Sequence, residues 1–211
     1  MTDDVPRPGS AGEHALQLQH GTADRADAFY RNQVLDRLNE RMVAFVGRMT
    51  MVFVATADGH GECDCSIRCG LPGFVYVLDD GRTLAYPEYR GNGVMASLGN
   101  LSENGHVGLL FVDFVQDCVG LHVNGRGAVV ETDALLARPG LPEQLWDDCQ
   151  LRGGRRPERW VVVSVDEAYI HCAKHLPMMA VVPKKIRWGT DDPVAKGGDY
   201  FGIAASRAGG E

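Results

Sequence analysis

A chain of 211 residues suits one domain with an appendage, and an apolar fraction of 45% is enough to fill a packed core. The formal net charge of −7 argues against a broad basic face for nucleic acid, and no apolar run approaches the roughly 18 residues of a membrane span. Residues 1–21 hold no hydrophobic stretch, so no secretory signal is read there, and the six cysteines are expected as reduced thiols in the cytoplasm.

In chain order, residues 1–22 mix Pro, Gly, Ser, Asp and His without an apolar period and read as a mobile tail. From Asp24 onward Phe29, Tyr30, Val34, Leu35, Leu38, Met42, Phe45, Val46 and Met49 recur at spacings of three and four. That stripe predicts a helix filling 23–50, capped by Thr22 or Asp24. The pattern then turns β-like. Met51–Ala57 ends at the turn Asp58-Gly59-His60-Gly61, and Glu62–Arg68 follows as its partner strand. Leu71-Pro72-Gly73 turns the chain. Phe74–Leu78 and Arg82–Tyr86 flank Asp79-Asp80-Gly81, a hairpin signal because glycine tolerates positive φ.

After Pro87 a helix is predicted from Asn92 to Glu103, then a hairpin of His106–Phe114 and Val119–Thr132. Residues 133–149 are weakly helical, and Arg152 to Pro157 form a loop. Trp160–Val165 is a strand, with a separate extended piece at Tyr169–Cys172. The Gly-, Lys- and Asp-rich remainder reads as irregular. The short strands do not alternate with helices, so the fold class is mainly β, an antiparallel barrel or sandwich with flanking helices. The barrel is expected over 51–180, with a C-terminal segment over 181–211.

Gly91-Asn92-Gly93-Val94-Met95-Ala96 has the form of a dinucleotide-binding fingerprint, and Asp113 follows at the distance of a ribose-binding acid. The context is wrong, because that motif should follow a buried strand within a βαβ unit, and here Tyr86-Pro87-Glu88-Tyr89-Arg90 precedes it. The underlying physics remains: a Gly-rich turn opening a helix presents free N–H groups and a positive dipole end to phosphate. Arg90 and Asn92 stand at this turn, Ser97 lies further along the helix, and Arg68 ends a strand that can reach the same place. Together they can form a monophosphate cradle. A solvated turn with an ordinary cap fits the same residues.

Cys63, Cys65 and Cys69 lie near His60, but the first two are too close for a zinc knuckle and no second Cys pair follows. They are expected as buried thiols of a half-core strand, and no metal site is assigned. His171 and His175 would share a helix face, yet the preceding Val-rich run and Pro177 argue against a regular helix there. His122 faces opposite to Leu121 and Val123, toward an interface. Asp147, Asp148, Asp191 and Asp192 read as solvated surface acids.

Asp64-Cys65-Ser66-Ile67-Arg68, Pro72-Gly73-Phe74-Val75, Leu84, Pro87, Gly91-Asn92 and Ser97-Leu98-Gly99-Asn100-Leu101 follow one another in order. Gly108-Leu109-Leu110-Phe111-Val112 and Leu121-His122-Val123-Asn124-Gly125-Arg126-Gly127 continue the series. Over roughly residues 40–175 the chain resembles the pyridoxamine 5′-phosphate oxidase-related FMN-binding proteins. The resemblance implies a split β-barrel and a homodimer with two FMN sites at the subunit interface. It places Ser66, Ile67 and Arg68 along the flavin ring and phosphoribityl chain. Pro87, Tyr89, Arg90, Gly91 and Asn92 fall where such proteins hold the phosphate. Lys184, Lys185 and Trp188 are candidates to reach the partner's flavin, with a solvated tail as the other reading.

The departures bear on chemistry. The oxidase itself carries a Ser-Arg-Lys phosphate clamp where this chain has Gly91-Asn92-Gly93. A flavin-contacting Gln falls on Gly120, and the terminal Arg motif that grips pyridoxal phosphate is not visible. Vitamin B6 oxidation is therefore not expected. Ile170-His171-Cys172-Ala173-Lys174 is similar to a segment of the flavin-nucleotide-binding branch. The resemblance implies an FMN-dependent oxidoreductase acting on a small molecule, with no single catalytic residue singled out because the flavin carries the redox chemistry. The alternative is a non-catalytic flavin- or haem-binding protein, with His171 or His175 as the iron ligand. The deazaflavin F420 fits less well, since its acidic tail favours a basic groove.

Overall fold

Alternation along each strand decides which side chains are buried. In the computed structural model, which describes residues 7–208, β1 (Met51–Ala57) buries Val52, Val54 and Thr56 and turns Met51, Phe53 and Ala55 outward. It pairs with β2 (Cys63–Cys69) and β5 (His106–Val112). The other strands are β3 (Tyr76–Leu78), β4 (Thr83–Glu88), β6 (Gly120–Val130) and β7 (Arg159–His171). Every pairing is antiparallel, in the order β2-β1-β5-β6-β7-β4-β3. The fold is mainly β, a split barrel whose sheet is not closed by hydrogen bonds.

Inside it pack Val52, Val54, Leu84, Tyr86, Leu109, Phe111, Val123, Val161 and Val163. Helix α4 (Ala96–Glu103) adds Leu101 to the same core. Each fully buried Val or Leu contributes roughly 1.5–3 kcal/mol of burial. A second cluster lies on the other face, where Leu135 of α5 (Thr132–Leu136) and Leu145 of α6 (Glu143–Cys149) cover Ala85, Trp160 and Val162. β4 is thus buried on both faces, which explains its continuous apolar run in place of alternation.

The N-terminal region differs from expectation. The single predicted helix is two, α2 (Ala23–Gln33) and α3 (Glu40–Val46). Between them Leu35 bridges Ala168, exchanging N–H···O bonds of 3.0 and 2.8 Å. β4 pairs with β7 only as far as Ser164, so the exposed edge beyond it takes Leu35 as partner. Asn39 then restarts the helix by accepting from the Met42 N–H at 3.0 Å. Within the predicted tail, residues 1–6 lie outside the described residues, and Ala11–Gln19 form helix α1. Neither α1 nor α2 buries a residue. α1 is held by polar bonds to the Tyr30 hydroxyl from Gln17 (2.7 Å) and to Glu13 (3.1 Å), so no apolar period announces it.

The two extended pieces expected near 160–172 are one 13-residue strand. A β-bulge shifts the register, since Asn124 faces Glu167 while Gly125 faces Val165. Inward residues therefore run Val161, Val163, Val165 and then Ala168, and this phase slip breaks the period that sequence reading relies on. The hairpin tip Asp79-Asp80-Gly81 holds positive φ at all three positions, 52°, 54° and 84°. A Cβ on Gly81 would collide with the Leu38 carbonyl oxygen, so no other residue fits there. The C-terminal part is irregular as expected until α7 (Ile203–Ala208). Among the described residues no helix is long and apolar enough to cross a membrane.

Candidate functional site

A cleft of about 920 Å³ opens where β2, the end of β4, the 89–95 turn, the first turn of α4 and residues 188–196 meet. That volume suits a small-molecule ligand. Ser66, Ile67, Arg68, Tyr89, Arg90, Gly91, Asn92, Ser97 and Trp188 line it. Three expected residues lie elsewhere. Pro87 is buried in β4 opposite Trp160, past the end of β3, where a missing N–H is tolerated. Lys184 and Lys185 are exposed on the C-terminal segment away from the cleft.

β2 is half-covered, and its alternation sorts its residues. Asp64, Ser66 and Arg68 are half-buried toward the cleft and alternate with the exposed Cys63, Cys65, Ile67 and Cys69, of which Ile67 and Cys69 also border the cleft. The expectation of buried thiols is therefore wrong, because β2 is an edge strand with no layer over its outer face.

The inward side chains form a directed polar chain. Arg68 Nε donates to Glu88 Oε1 at 2.7 Å, and its Nη1 donates to Ser66 Oγ at 2.9 Å. Ser66 and Ser97 hydroxyls meet at 2.9 Å, and Ser97 donates to Asp64 Oδ2 at 3.2 Å. Each hydroxyl has one proton. Ser97 gives its proton to Asp64, so Ser66 donates to Ser97, and the order Arg68, Ser66, Ser97, Asp64 is fixed. Glu88 is 8% exposed. Burial pushes its carboxyl up, more than the charge and hydrogen bond of Arg68 and the charge of Arg159 pull it down. Burial and then Asp148 push the Tyr89 phenol up to about 12, so it stays neutral.

Neither arginine of the expected cradle is bare. Arg68 is taken by Glu88, and Arg90 Nη2 pairs with Asp191 Oδ2 at 2.7 Å. The cleft lining carries Arg68, Arg90, Arg159 and Lys196 against Asp64, Glu88, Glu158 and Asp191, so its formal charges balance. Asn92 Oδ1 accepts from the Val94 N–H at 3.0 Å, an Asx turn that leaves the side-chain amide N–H groups for a ligand. Met95 stands at φ 58° just before α4 with no side-chain cap, and Ala96, Ser97 and Leu98 of the first turn line the cleft. The dinucleotide reading stays rejected, because β4 and β5 are not neighbours in the sheet. Asp113 instead accepts from the N–H groups of Val115, Gln116 and Asp117 in its own loop.

Sequence reasoning missed Glu88, Asp64, Arg159 and Asp191. Glu88 carried a signal: it continues the inward series Leu84, Tyr86, Glu88, and a charge at an inward position needs a partner. Asp191, read as a solvated surface acid, carried none. The histidines meet differently from expectation. His171 pairs with His122, Nδ1 to Nε2, at 3.0 Å. His175 lies in a short 3-10 turn. His122 also stacks on Tyr169 at 4.7 Å, and burial followed by the neighbouring His171 lowers its pKa. None of the three lines the cleft.

Three solved structures are similar in fold. HupZ of Group A Streptococcus is 19% identical, covering 68% of this chain and 99% of its own, with a TM-score of 0.45. A FAD-binding protein of Mesorhizobium loti is 13% identical, covering 66% and 98%, with a TM-score of 0.42. HutZ, the haem storage protein of Vibrio cholerae, is 13% identical, covering 64% and 95%, with a TM-score of 0.40. At these scores the likenesses carry no argument about ligand. No curated protein sequence matches this chain. The family model for pyridoxamine 5′-phosphate oxidase matches residues 38–172, a span that holds all seven strands and the cleft residues from Asp64 to Arg159, and the chain belongs to that family.

Proposed function

We propose that this protein binds FMN in the cleft and works as a flavin-dependent oxidoreductase on a small molecule, with a homodimer as its working form. The observation that carries the reading is the convergence of Arg90, the Asn92 amide and the uncapped first turn of α4 on one side of the cleft. Those are donors for a phosphate monoester. The polar chain Arg68-Ser66-Ser97-Asp64 supplies hydroxyls beside it for a polyhydroxyl chain and a heteroaromatic edge. The donor set fits a phosphate once Arg90 is released from Asp191. Bound flavin would supply hydride acceptance and donation, while this chain's residues bind, orient and desolvate it. Ser66 and Ile67 flank the ligand along β2, Pro87 sets the exit of β4, and Lys184 and Lys185 reach the partner's site.

Homodimerisation is supported by the outer face of the sheet. Ile67, Phe53, Leu110, His122 and Tyr169 stand side by side on five successive strands, and a second copy is the cover we assign to that row. The test is the absorption spectrum of the purified protein with mass spectrometry of the released cofactor. Flavin bands with FMN released support the reading. A dominant Soret band transfers the chain to the haem-binding alternative. A colourless protein that refuses added FMN overturns it.

A further inference from the structure

After β7 the chain returns to the cleft of its own subunit as a strap. The Trp188 ring meets Tyr89 edge-on, with centroids 5.6 Å apart. Just beyond, Gly189 (φ 60°) crosses Gly154 so closely that a Cβ on it would lie 2.7 Å from the Gly154 Cα. A Cβ on Gly154 would collide with the Trp188 carbonyl oxygen. Both positions require glycine, so this crossing is a fixed hinge. Past the hinge, Asp192 accepts from Arg187 at 2.8 Å and from the Val194 N–H at 2.9 Å. This folds the tip on itself and aims the neighbouring Asp191 at Arg90. Among the described residues the strap therefore has a rigid crossing and one charged latch, whose side chains are 58% and 62% exposed.

We infer that Asp191 is an internal stand-in for the ligand's phosphate, holding Arg90 in place until a phosphorylated flavin competes for it. The inference rests on the flavin-nucleotide reading above. An exposed ion pair is weak and screened, so a phosphate dianion that also meets the first turn of α4 displaces the Asp191 carboxylate into water. A flavin without phosphate makes no demand on Arg90 and binds with the Arg90–Asp191 pair intact. Asp191 thus acts through Arg90 and is a positioning residue that tunes the affinity for the phosphate.

The test uses the full-length protein stripped of flavin, titrated with FMN and separately with riboflavin, reading quenching of flavin fluorescence. Asp191→Asn removes the competing charge without touching the core. It should bind FMN about two- to five-fold more tightly, the range set by one exposed ion pair, with riboflavin affinity unchanged. Asp191→Glu keeps the latch and should restore the wild-type FMN affinity. If Asp191→Asn and wild type bind FMN equally, or if riboflavin gains as much as FMN, the latch is overturned while flavin binding stands. If neither protein takes up either flavin, the flavin reading itself fails, and the latch with it.

Discussion

Arg68 and Glu88 meet at 2.7 Å although four strands separate β2 from β4 in the sheet. Their contact spans the open side of the barrel, and it does so at the floor of the cleft. Side-chain exposures of 19% and 11% leave each charge little solvent of its own. The raised pKa of Glu88 says that burial costs its carboxylate more than Arg68 returns, as is common for buried pairs. The pair therefore defines geometry more than it adds stability.

A consequence is an asymmetry between single and paired substitutions. Arg68→Ala leaves a buried carboxylate without its partner and should cost about 2–4 kcal/mol in urea unfolding, somewhat below the range for full burial. Adding Glu88→Gln should recover most of that loss. A single-variant cost under about 1 kcal/mol, or no recovery in the double variant, would show that the contact does not hold the barrel together. Arg68→Lys should recover only part, since a point charge cannot serve Glu88 and Ser66 together.

Ser97 offers a finer probe of the same network. It is 4% exposed and is the only link between Ser66 and Asp64 in the polar chain. Ser97→Ala should cost about 1–2 kcal/mol and weaken FMN binding by freeing the Ser66 hydroxyl to rotate. Equal flavin affinity in the variant would confine Ser97 to a structural role.

Most strands were legible in the sequence because alternation and turn residues are local signals. Met51–Ala57 matched its strand to the residue, and Asp79-Asp80-Gly81 gave the hairpin tip. What escaped was decided by distant partners. Leu35 leaves the helical stripe because an uncovered strand edge at Ala168 takes it. One bulge opposite Asn124 hides the continuity of β7. In the cleft, the residue types at 66–68 and 89–97 were legible, but their ion pairing was not. Glu88 lies 20 residues from Arg68 and Asp191 about a hundred from Arg90, and no spacing rule joins them.

Gly81 tests the hairpin tip directly. With φ at 84° and the Leu38 carbonyl where a Cβ would go, Gly81→Ala combines left-handed strain with a backbone clash. A loss of at least about 2 kcal/mol is expected, seen as a lowered urea midpoint at unchanged slope. A neutral result would mean that the tip does not dock on Leu38.

His122 gives the acid limb a defined sign. Its folded pKa lies below the ordinary value because of burial first and the His171 ring second. For a base with a depressed folded pKa, the stabilising contribution is present above the unfolded pKa of about 6.5 and is lost as pH falls through the folded value. Unfolding measured from pH 8 down to pH 5 should show wild type losing stability relative to His122→Gln below about pH 6.5. Parallel curves across that range would mean that the pair carries no proton linkage.

The same histidine sits in the row Ile67, Phe53, Leu110, His122, Tyr169, which joins five strands across the outer face. Phe29 of α2 closes its far end against Tyr169 with ring centroids 5.9 Å apart. At the near end Ile67 is 47% exposed, and Cys63, Cys65 and Cys69 beside it are exposed too. A row that is apolar at one end and aromatic at the other is stabilised by a matching copy related by a two-fold axis. Leu110→Glu places a charge in the middle of the row on a half-exposed site, so the subunit fold should survive. Light scattering on the eluted protein should give a dimer mass for wild type and a monomer mass for the variant. FMN affinity should fall in parallel if Lys184 and Lys185 complete the partner's cleft. A wild-type monomer that binds FMN fully would overturn the dimer and confine the flavin site to one subunit.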